Sequence, residues 1–471
     1  MIALSKIQVK DLMKILILGA GQVGSTVAHV LSKEAQNDIT IIDNQYAPLA
    51  ALKERYDIRT IRGNAASPLL LKEAGAESMD VLIAVTSSDE VNIVASQIAH
   101  TVFGIKLKVA RVRSQDYLRA GDLFGNKLDS TFHIDVVISP ETLITNYIKN
   151  IIELPGALDV LRFAKGEALI VSMGVEKDSQ LFGRRFSKIK RRTRHLNINY
   201  VAIYREGCEF IPEEDTVLEE DDEVYFLCAR SDAREVIELF QSKQRIAKRV
   251  TIAGGGNIGA ALAEALESFA HVKLIEASAE RANALASKLN RSLILHGDCT
   301  DEALLFEENI ENTDLFCALT NDDQTNIMAA MLAKRLGAKF TMSLINRSSY
   351  LEMIEDESNI DLAFSPQQVT LSTLLTYIRK GDIVQVYSLR SGESEAMEII
   401  AHGNAETSKI VGKSLEGIRW PEDVVVAGLI RRGKVMKIEP SMFIEQNDHL
   451  ILFITDKESI PEVEDLFELR K

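Results

Sequence analysis

The chain has 471 residues, 46% apolar and 26% charged, with a formal net charge of −15. At roughly 100–200 residues per domain, this length corresponds to three or four ordinary soluble domains and argues against disorder. The negative balance disfavours broad capture by nucleic acid or anionic lipid, and no apolar run reaches the ~18 residues of a membrane span.

Residues 1–12 carry no clear pattern, and Met13 is an alternative start. No basic, long apolar and small-residue signal pattern opens the chain, so it is expected to stay in the cytoplasm. Lys14–Leu18 is a short apolar run, read as a strand. Gly19-Ala20-Gly21-Gln22-Val23-Gly24 follows it and opens an amphipathic helix running from Gly24 to Lys33. Ile39–Ile42 is a second strand, closed by Asp43. Strand, G-x-G-x-x-G, helix and a following acid together form a dinucleotide fingerprint. Gly19 permits the tight turn, Gly21 lets phosphate oxygens approach bare backbone, and Gly24 lets helix and strand pack closely. The helix N-terminus offers unpaired N–H groups to the anion. Asp43 accepts from ribose hydroxyls and repels a 2′-phosphate, which favours NAD over NADP.

Val81–Val85, Leu107–Val112 and Val136–Ser139 are read as three further strands, with helical patterns between them. Strands alternating with helices predict a parallel, doubly wound sheet buried on both faces. Thr86 and Ser87 follow its central strand, where ligands of open α/β sheets lie. The alternative there is helix capping by Ser87 or Ser88. Arg111 is placed to reach a phosphate or a neighbouring subunit.

A linker is expected near Pro155-Gly156, followed by a small α+β module. Its strands are Ala168–Val175, Tyr200–Tyr204 and Glu223–Cys228, with a turn at Glu206-Gly207. Between the first two lies a stretch with seven basic residues, Arg184, Arg185, Lys188, Lys190, Arg191, Arg192 and Arg194. It is read as a solvated loop that could face an acidic partner, nucleotide phosphates or lipid head groups. The acidic runs Glu213–Asp215 and Glu219–Glu223 are read as solvated turns. Further linkers are expected near Gln241–Arg249 and Lys380-Gly381.

Beyond Gln241–Arg249 the whole pattern returns. Gly254-Gly255-Gly256-Asn257-Ile258-Gly259 repeats the first glycine loop at an offset of 235 residues. Ile275-Glu276 answers Ile42-Asp43, Gly297-Asp298 answers Gly63-Asn64, and Asp314–Asn326 answers Asp80–Asn92, with Thr320 at the place of Thr86. The position of Arg111 is taken by Leu344. Ile410-Val411-Gly412-Lys413 answers Leu181-Phe182-Gly183-Arg184, and Arg432-Gly433 is the matching turn. An ordered series of this kind implies duplication of a two-part unit. The expected domains are residues 13–145 and 248–372 (Rossmann-like), and 155–240 and 382–471 (small α+β).

Catalytic groups are missing from this reading. His195 and His402 are isolated and read as surface residues. Neither GxSxG nor HExxH occurs. Gly412-Lys413-Ser414 fails as a P-loop, because the first glycine would fall at Thr407. Cys208, Cys228, Cys299 and Cys317 show no metal spacing and are read as small apolar residues in a reducing compartment. No metal site is expected. The competing reading is an NAD-dependent oxidoreductase, which would require a proton donor that the small modules do not offer.

Two tandem Rossmann-plus-α+β units, with Met79–Asn92, Asn321–Lys334 and Ser365-Pro366-Gln367-Gln368 as the most specific stretches, resemble the RCK family. The resemblance is to its tandem form (KTN plus C-terminal portions) in Trk-type potassium uptake systems. It implies a non-enzymatic, peripheral regulatory subunit that assembles as a homo-oligomeric ring, a tetramer supplying eight units. The ring would sit on the inner face of the membrane under a potassium-translocating Trk-type subunit, with no nucleic-acid partner. NAD(H), with ATP or ADP as alternatives, would change the ring's shape and so gate the pore. The family's nucleotide residues carry over to Gly19, Gly21, Gln22, Val23, Gly24, Asp43, Thr86, Ser87 and Arg111. In the second copy they carry over to Gly254, Gly256, Asn257, Ile258, Gly259, Glu276, Asp298 and Thr320. Asn64 departs from the family's aspartate, which Asp298 keeps. Gln22 and Asn257 stand where some single-unit relatives place an arginine that senses a terminal phosphate.

Overall fold

The computed structural model describes residues 13–33, 37–120, 123–125, 131–240, 247–355, 359–379, 382–389 and 394–470. The expected linker at Lys380-Gly381, and most of that at Gln241–Arg249, lie outside the described residues. The chain divides into two compact units, one up to Leu143 and one from Ile144 onward.

The first unit alternates β1 (Met13–Leu18), α1 (Gln22–Ser32), β2 (Asn37–Asp43), α2 (Tyr46–Arg55), β3 (Arg59–Arg62), α3 (Pro68–Glu73), β4 (Val81–Ala84), α4 (Asp89–Thr101), β5 (Leu107–Arg111), α5 (Gln115–Arg119) and β6 (Val136–Ile138). The strands form one sheet in the order β3-β2-β1-β4-β5-β6, parallel throughout. This is the doubly wound dinucleotide order, with its switch point between β1 and β4. Ile15–Leu18 and Val81–Ala84 are buried on both faces, which is why they read as unbroken apolar runs. One strand escapes the sequence. In β3 only Ile61 is buried, and Arg59 and Arg62 face solvent, so no apolar run marks it. Charge suits it to an edge that must not pair further.

The second unit takes in most of α6 (Pro140–Glu153), whose Ile144, Ile148, Ile151 and Ile152 enter its core. Pro155-Gly156 is a tight turn directly after that helix, with Gly156 at φ 87°. Next come β7 (Ala157–Phe163), β8 (Ala168–Gly174), α7 (Phe186–Arg192), β9 (Ile198–Arg205), β10 (Cys208–Phe210), β11 (Glu223–Ala229) and α8 (Ala233–Phe240). The sheet runs β10-β9-β11-β8-β7 and is antiparallel. Glu206 and Gly207 sit at φ 48° and 82°, a two-residue turn of the twist that hairpins favour.

The duplicate follows as β12 (Arg249–Ala253), α9 (Asn257–Leu266), β13 (His271–Glu276), α10 (Ala279–Lys288), β14 (Leu293–His296), α11 (Glu302–Glu307), β15 (Leu315–Ala318), α12 (Asp323–Arg335), β16 (Phe340–Leu344), α13 (Ser348–Glu355) and β17 (Leu362–Phe364). Its sheet order, β14-β13-β12-β15-β16-β17, is the order of the first sheet. Then come α14 (Pro366–Ile378), β18 (Ile383–Leu389), β19 (Ser394–Ile400), β20 (Val424–Arg431), β21 (Lys434–Met436), β22 (His449–Ile454) and α15 (Ile460–Phe467). The sheet β18-β19-β22-β20-β21 is the small sheet over again. Within the second unit the two small sheets share a core of Leu161, Phe163, Tyr225, Leu227, Ile451 and Phe453. Asn199 Nδ2 donates across it to the Val426 and Ala427 carbonyls at 3.0 and 3.1 Å.

Three expectations need correction. The basic stretch is a helix rather than a loop, because Phe186, Ile189 and Thr193 recur at helical spacing and are buried. The acidic run Glu219–Glu223 is not wholly solvated. Asp222 is fully buried and accepts from Arg205 Nε and Nη2 at 2.6 and 2.7 Å. Of the four cysteines, Cys208 is exposed while Cys228, Cys299 and Cys317 are buried.

Candidate nucleotide sites

The glycine loop of the first unit leaves β1 at the switch point. Gly19 has φ +104°, and a Cβ there would lie 2.9 Å from the Thr86 backbone, so both conformation and proximity demand glycine. A Cβ on Gly24 would meet the Gly19 carbonyl oxygen at 1.9 Å. Gly21 is different. Its φ is −71°, open to any residue, and a Cβ there would meet no atom of the described residues within 4 Å. Gly21 is the N-cap of α1, without a side-chain cap and without an acid in the first turn. The N–H groups of Gln22, Val23 and Gly24 have no carbonyl acceptor within the helix. The chain therefore leaves bare backbone facing open space at a positive helix end.

Asp43 closes the loop from β2. Its Oδ2 accepts from Ala20 N at 2.6 Å and its Oδ1 from Gln45 N at 2.8 Å. Each carboxylate oxygen keeps a second lone pair, so two acceptor sites remain for a ribose diol. Beside Asp43 in register lies Arg62 at the end of β3, a cation that sequence reasoning missed along with its strand.

Thr86 turns inward. Its backbone N and its Oγ1 both donate to Asn92 Oδ1, at 3.0 and 2.7 Å. Asn92, wholly buried, donates in turn to the Arg111 carbonyl at 2.9 Å. The hydroxyl of Thr86 thus holds the ends of β4 and β5 together, and what it presents to the loop is backbone against Gly19. Ser87 is exposed and does not cap. Ser88 caps α4, accepting from Val91 N at 3.3 Å. The half-buried Arg111 has its pKa lowered by burial and then by Arg113. Its Nε is buried with no hydrogen-bond acceptor among the described residues, an unmet donor that an anion would satisfy.

The second copy is built alike. Gly254 has φ +106° with the Leu319–Thr320 backbone 2.9 Å from a Cβ, Gly259 would strike the Gly254 carbonyl at 1.9 Å, and Gly256 meets nothing within 4 Å. Gly256 caps α9, whose first turn holds Asn257 and Ile258 and carries no acid. Thr320 donates to Asn326 Oδ1 through N and Oγ1 at 2.8 and 2.6 Å, and Asn326 to the Leu344 carbonyl at 2.8 Å. Asp322 caps α12, its side chain accepting from Thr325 N. Asp298 accepts from the Thr300 N and Oγ1 at 2.8 and 2.7 Å, and those bonds lower its pKa.

One difference between the copies has a steric cause. Glu276 is a methylene longer than Asp43, and its Oε2 accepts from Gly255 N at 2.8 Å. A Cβ at position 255 would sit 2.8 Å from that oxygen and 2.4 Å from Leu285. Leu285 and the longer acid together crowd position 255, where glycine stands, while the shorter acid of the first copy faces Ala20.

These contacts separate the glycines by role. Gly24→Ala drives a methyl into a backbone carbonyl that cannot yield, beyond the usual ~1–3 kcal/mol of overpacking. We expect at least about 3 kcal/mol lost from the first unit in denaturant titration.

A doubly wound sheet with a G-x-G-x-x-G turn at its switch point, present twice in one chain, defines a tandem dinucleotide-type regulatory or redox protein without further distinction. Sequence comparison supplies the distinction. The TrkA-N domain matches residues 15–140 and 250–366, and the TrkA-C domain residues 170–241 and 405–468. The chain belongs to the TrkA family. It is 46% identical to the Trk system potassium uptake protein TrkA of Halomonas elongata over 97% of this chain and 99% of that one. It is 43% identical to the protein of the same name from Haemophilus influenzae, with the same coverage. Among solved structures, the GsuK RCK domain superposes with a TM-score of 0.60 at 17% identity, covering 98% of this chain and 96% of that one. The GsuK channel bound to NAD superposes at 0.58 and 16% identity, covering 98% and 79%. At such identities the likeness is one of fold.

Proposed function

We propose that this chain is the nucleotide-binding regulatory subunit of a Trk-type potassium uptake system, taking NAD(H), or ATP and ADP, in its two Rossmann-like domains. The observation that carries the reading is the pair Gly21 and Gly256. Nothing in the packing of the described residues or in the backbone conformation requires glycine at either position, whereas a bound pyrophosphate does. The relatives are potassium uptake proteins by name, which favours regulation over the oxidoreductase reading.

In this proposal Gly19 to Gly24 and Gly254 to Gly259 cradle phosphate, Asp43 and Glu276 hold ribose, and Arg111 meets an anion in the first copy only. Thr86 and Thr320 act through their backbone, Ser87 lines the rim, and Asp298 is a further nucleotide residue of the second copy. The domains are residues 13–145, 155–240, 248–372 and 382–471. They assemble as a ring of four chains on the inner face of the membrane, beneath the potassium-translocating subunit. A nucleotide biases such a ring only by binding one conformation more tightly. Moving the population from 1:99 to 99:1 takes ~5.5 kcal/mol of differential binding, which several equivalent sites can share.

Calorimetric titration with NADH, NAD, ATP and ADP tests the reading, repeated on Asp43→Ala. Saturable heat that weakens in the variant is expected, with NADP gaining on NAD once the carboxylate no longer repels its 2′-phosphate. No heat from any of the four would leave the glycine loops as packing devices and end the proposal.

A further inference from the structure

We propose that α7 and its flanks form a lipid-facing surface, which binds anionic head groups of a bilayer directly and independently of any protein partner. All seven basic side chains from Arg184 to Arg194 are exposed, while Phe186, Ile189 and Thr193 fix the helix to the core. Lys188, Arg191 and Arg192 lie one turn apart on the helix, continuing the line of Arg184 and Arg185. None of the seven forms an ion pair among the described residues. Arg192 donates to Gln180, and Lys190 lies over the Phe186 ring at 5.1 Å. In a chain of net charge −15, so dense a group of unneutralised cations is not an average solvated face. The acidic turn Glu213–Asp215 borders the helix through a backbone contact, Ser187 N to the Glu214 carbonyl at 2.9 Å, and forms one edge of the basic surface.

Apolar groups beside these cations favour a bilayer over a free polyanion. Phe182 is 40% exposed and Val217 37%. Val217 bridges Arg185 through the backbone, and Gly183 N donates to the Leu218 carbonyl, so both apolar residues adjoin the start of the basic run. An aromatic and an aliphatic group among arginines match the boundary between head groups and acyl chains, where apolar burial adds to charge attraction. The cations continue onto the second small sheet, where the Lys437 ammonium donates to the Arg194 carbonyl. The duplicate supplies a comparison within the molecule. There Val411, the counterpart of Phe182, is buried, and Lys413 and Arg419 are the only basic residues between 410 and 420.

The test is co-sedimentation of the full chain with vesicles of phosphatidylcholine alone and of phosphatidylcholine with phosphatidylglycerol in equal parts. Binding is expected only to the anionic vesicles, and salt should release it. Lys188→Gln with Arg191→Gln should weaken it about 25-fold, at roughly fivefold per cation. Phe182→Ser should weaken it at unchanged charge. These side chains are exposed, so an unchanged melting temperature confirms that the variants fold. Equal binding to both vesicle types, or a double variant that binds like wild type, overturns the proposal. So does Lys188- and Arg191-dependent binding of tripolyphosphate or RNA with no retention on vesicles.

Discussion

Gly21→Asp is expected to abolish nucleotide binding in the first unit while leaving its fold intact. Position 21 has φ −71°, no neighbour within 4 Å of a Cβ, and the N-cap place of α1. Aspartate is among the best N-cap residues and gains a few tenths of a kcal/mol over glycine there. Its carboxylate, however, stands where a phosphate would sit. Two like charges about 4 Å apart at an effective dielectric of 20 repel by about 4 kcal/mol, roughly three powers of ten in affinity. The side chain also takes the first-turn N–H groups that the phosphate would use. Thermal melting should therefore show an unchanged or slightly raised midpoint, while titration shows no saturable heat from the first site. Gly256→Asp makes the same change in the second copy, so the single variants resolve the two sites. A Gly21→Asp, Gly256→Asp chain that still titrates like wild type would show that the open space is not the phosphate site.

What was legible in the sequence follows burial. Strands buried on both faces, such as Ile15–Leu18, announce themselves as apolar runs. The edge strand β3 buries only Ile61 and does not, and with it Arg62 beside Asp43 was lost. β7 was missed because Asp159 and Arg162 interrupt it and its pairing is bulged after Ala157. The roles of Gly19 and Gly24 could be argued from the motif alone, since the turn and the helix–strand contact are local. That of Asn92 could not. Its amide holds Thr86 and also reaches Arg111, 19 residues further along the chain, and only the folded sheet brings them together. The same holds for the exchange of Ala20 with Asp43 for Gly255 with Glu276. Each pair looks like drift when read along the chain, and only the folded sheet sets position 255 against both Leu285 and the Glu276 carboxylate.

Duplication gives the small modules an internal control, and the second large effect is expected there. Arg205→Ala should cost the second unit about 3 kcal/mol, the low end of what stripping the partner from a buried charge costs, because Arg205 itself is partly exposed. Asp222 is fully buried, and its two oxygens accept from Arg205 Nε and Nη2 at 2.6 and 2.7 Å. One oxygen also accepts from Glu219 N at 2.7 Å, which keeps the carboxylate in place after the arginine is gone, charged and poorly solvated. The duplicate repeats this in Arg431 and Asp448 at 2.9 and 2.7 Å, with Glu445 N on the same oxygen at 2.8 Å. Arg431→Ala should thus cost a similar amount in denaturant titration. Arg→Lys should not restore either, because an ammonium cannot offer two parallel N–H bonds. Removing both partners, Arg205→Ala with Asp222→Ala, should recover much of the loss, since no charge is then left buried. Arg205 also donates to the Val217 carbonyl at 2.8 Å, and Val217 pairs with Arg185 at the start of the basic helix. The first of these variants should therefore weaken binding to anionic vesicles as well, and Arg431→Ala should not. A matched loss of stability with an unmatched loss of vesicle binding is the pattern that two equal scaffolds, only one of them basic, are built to give.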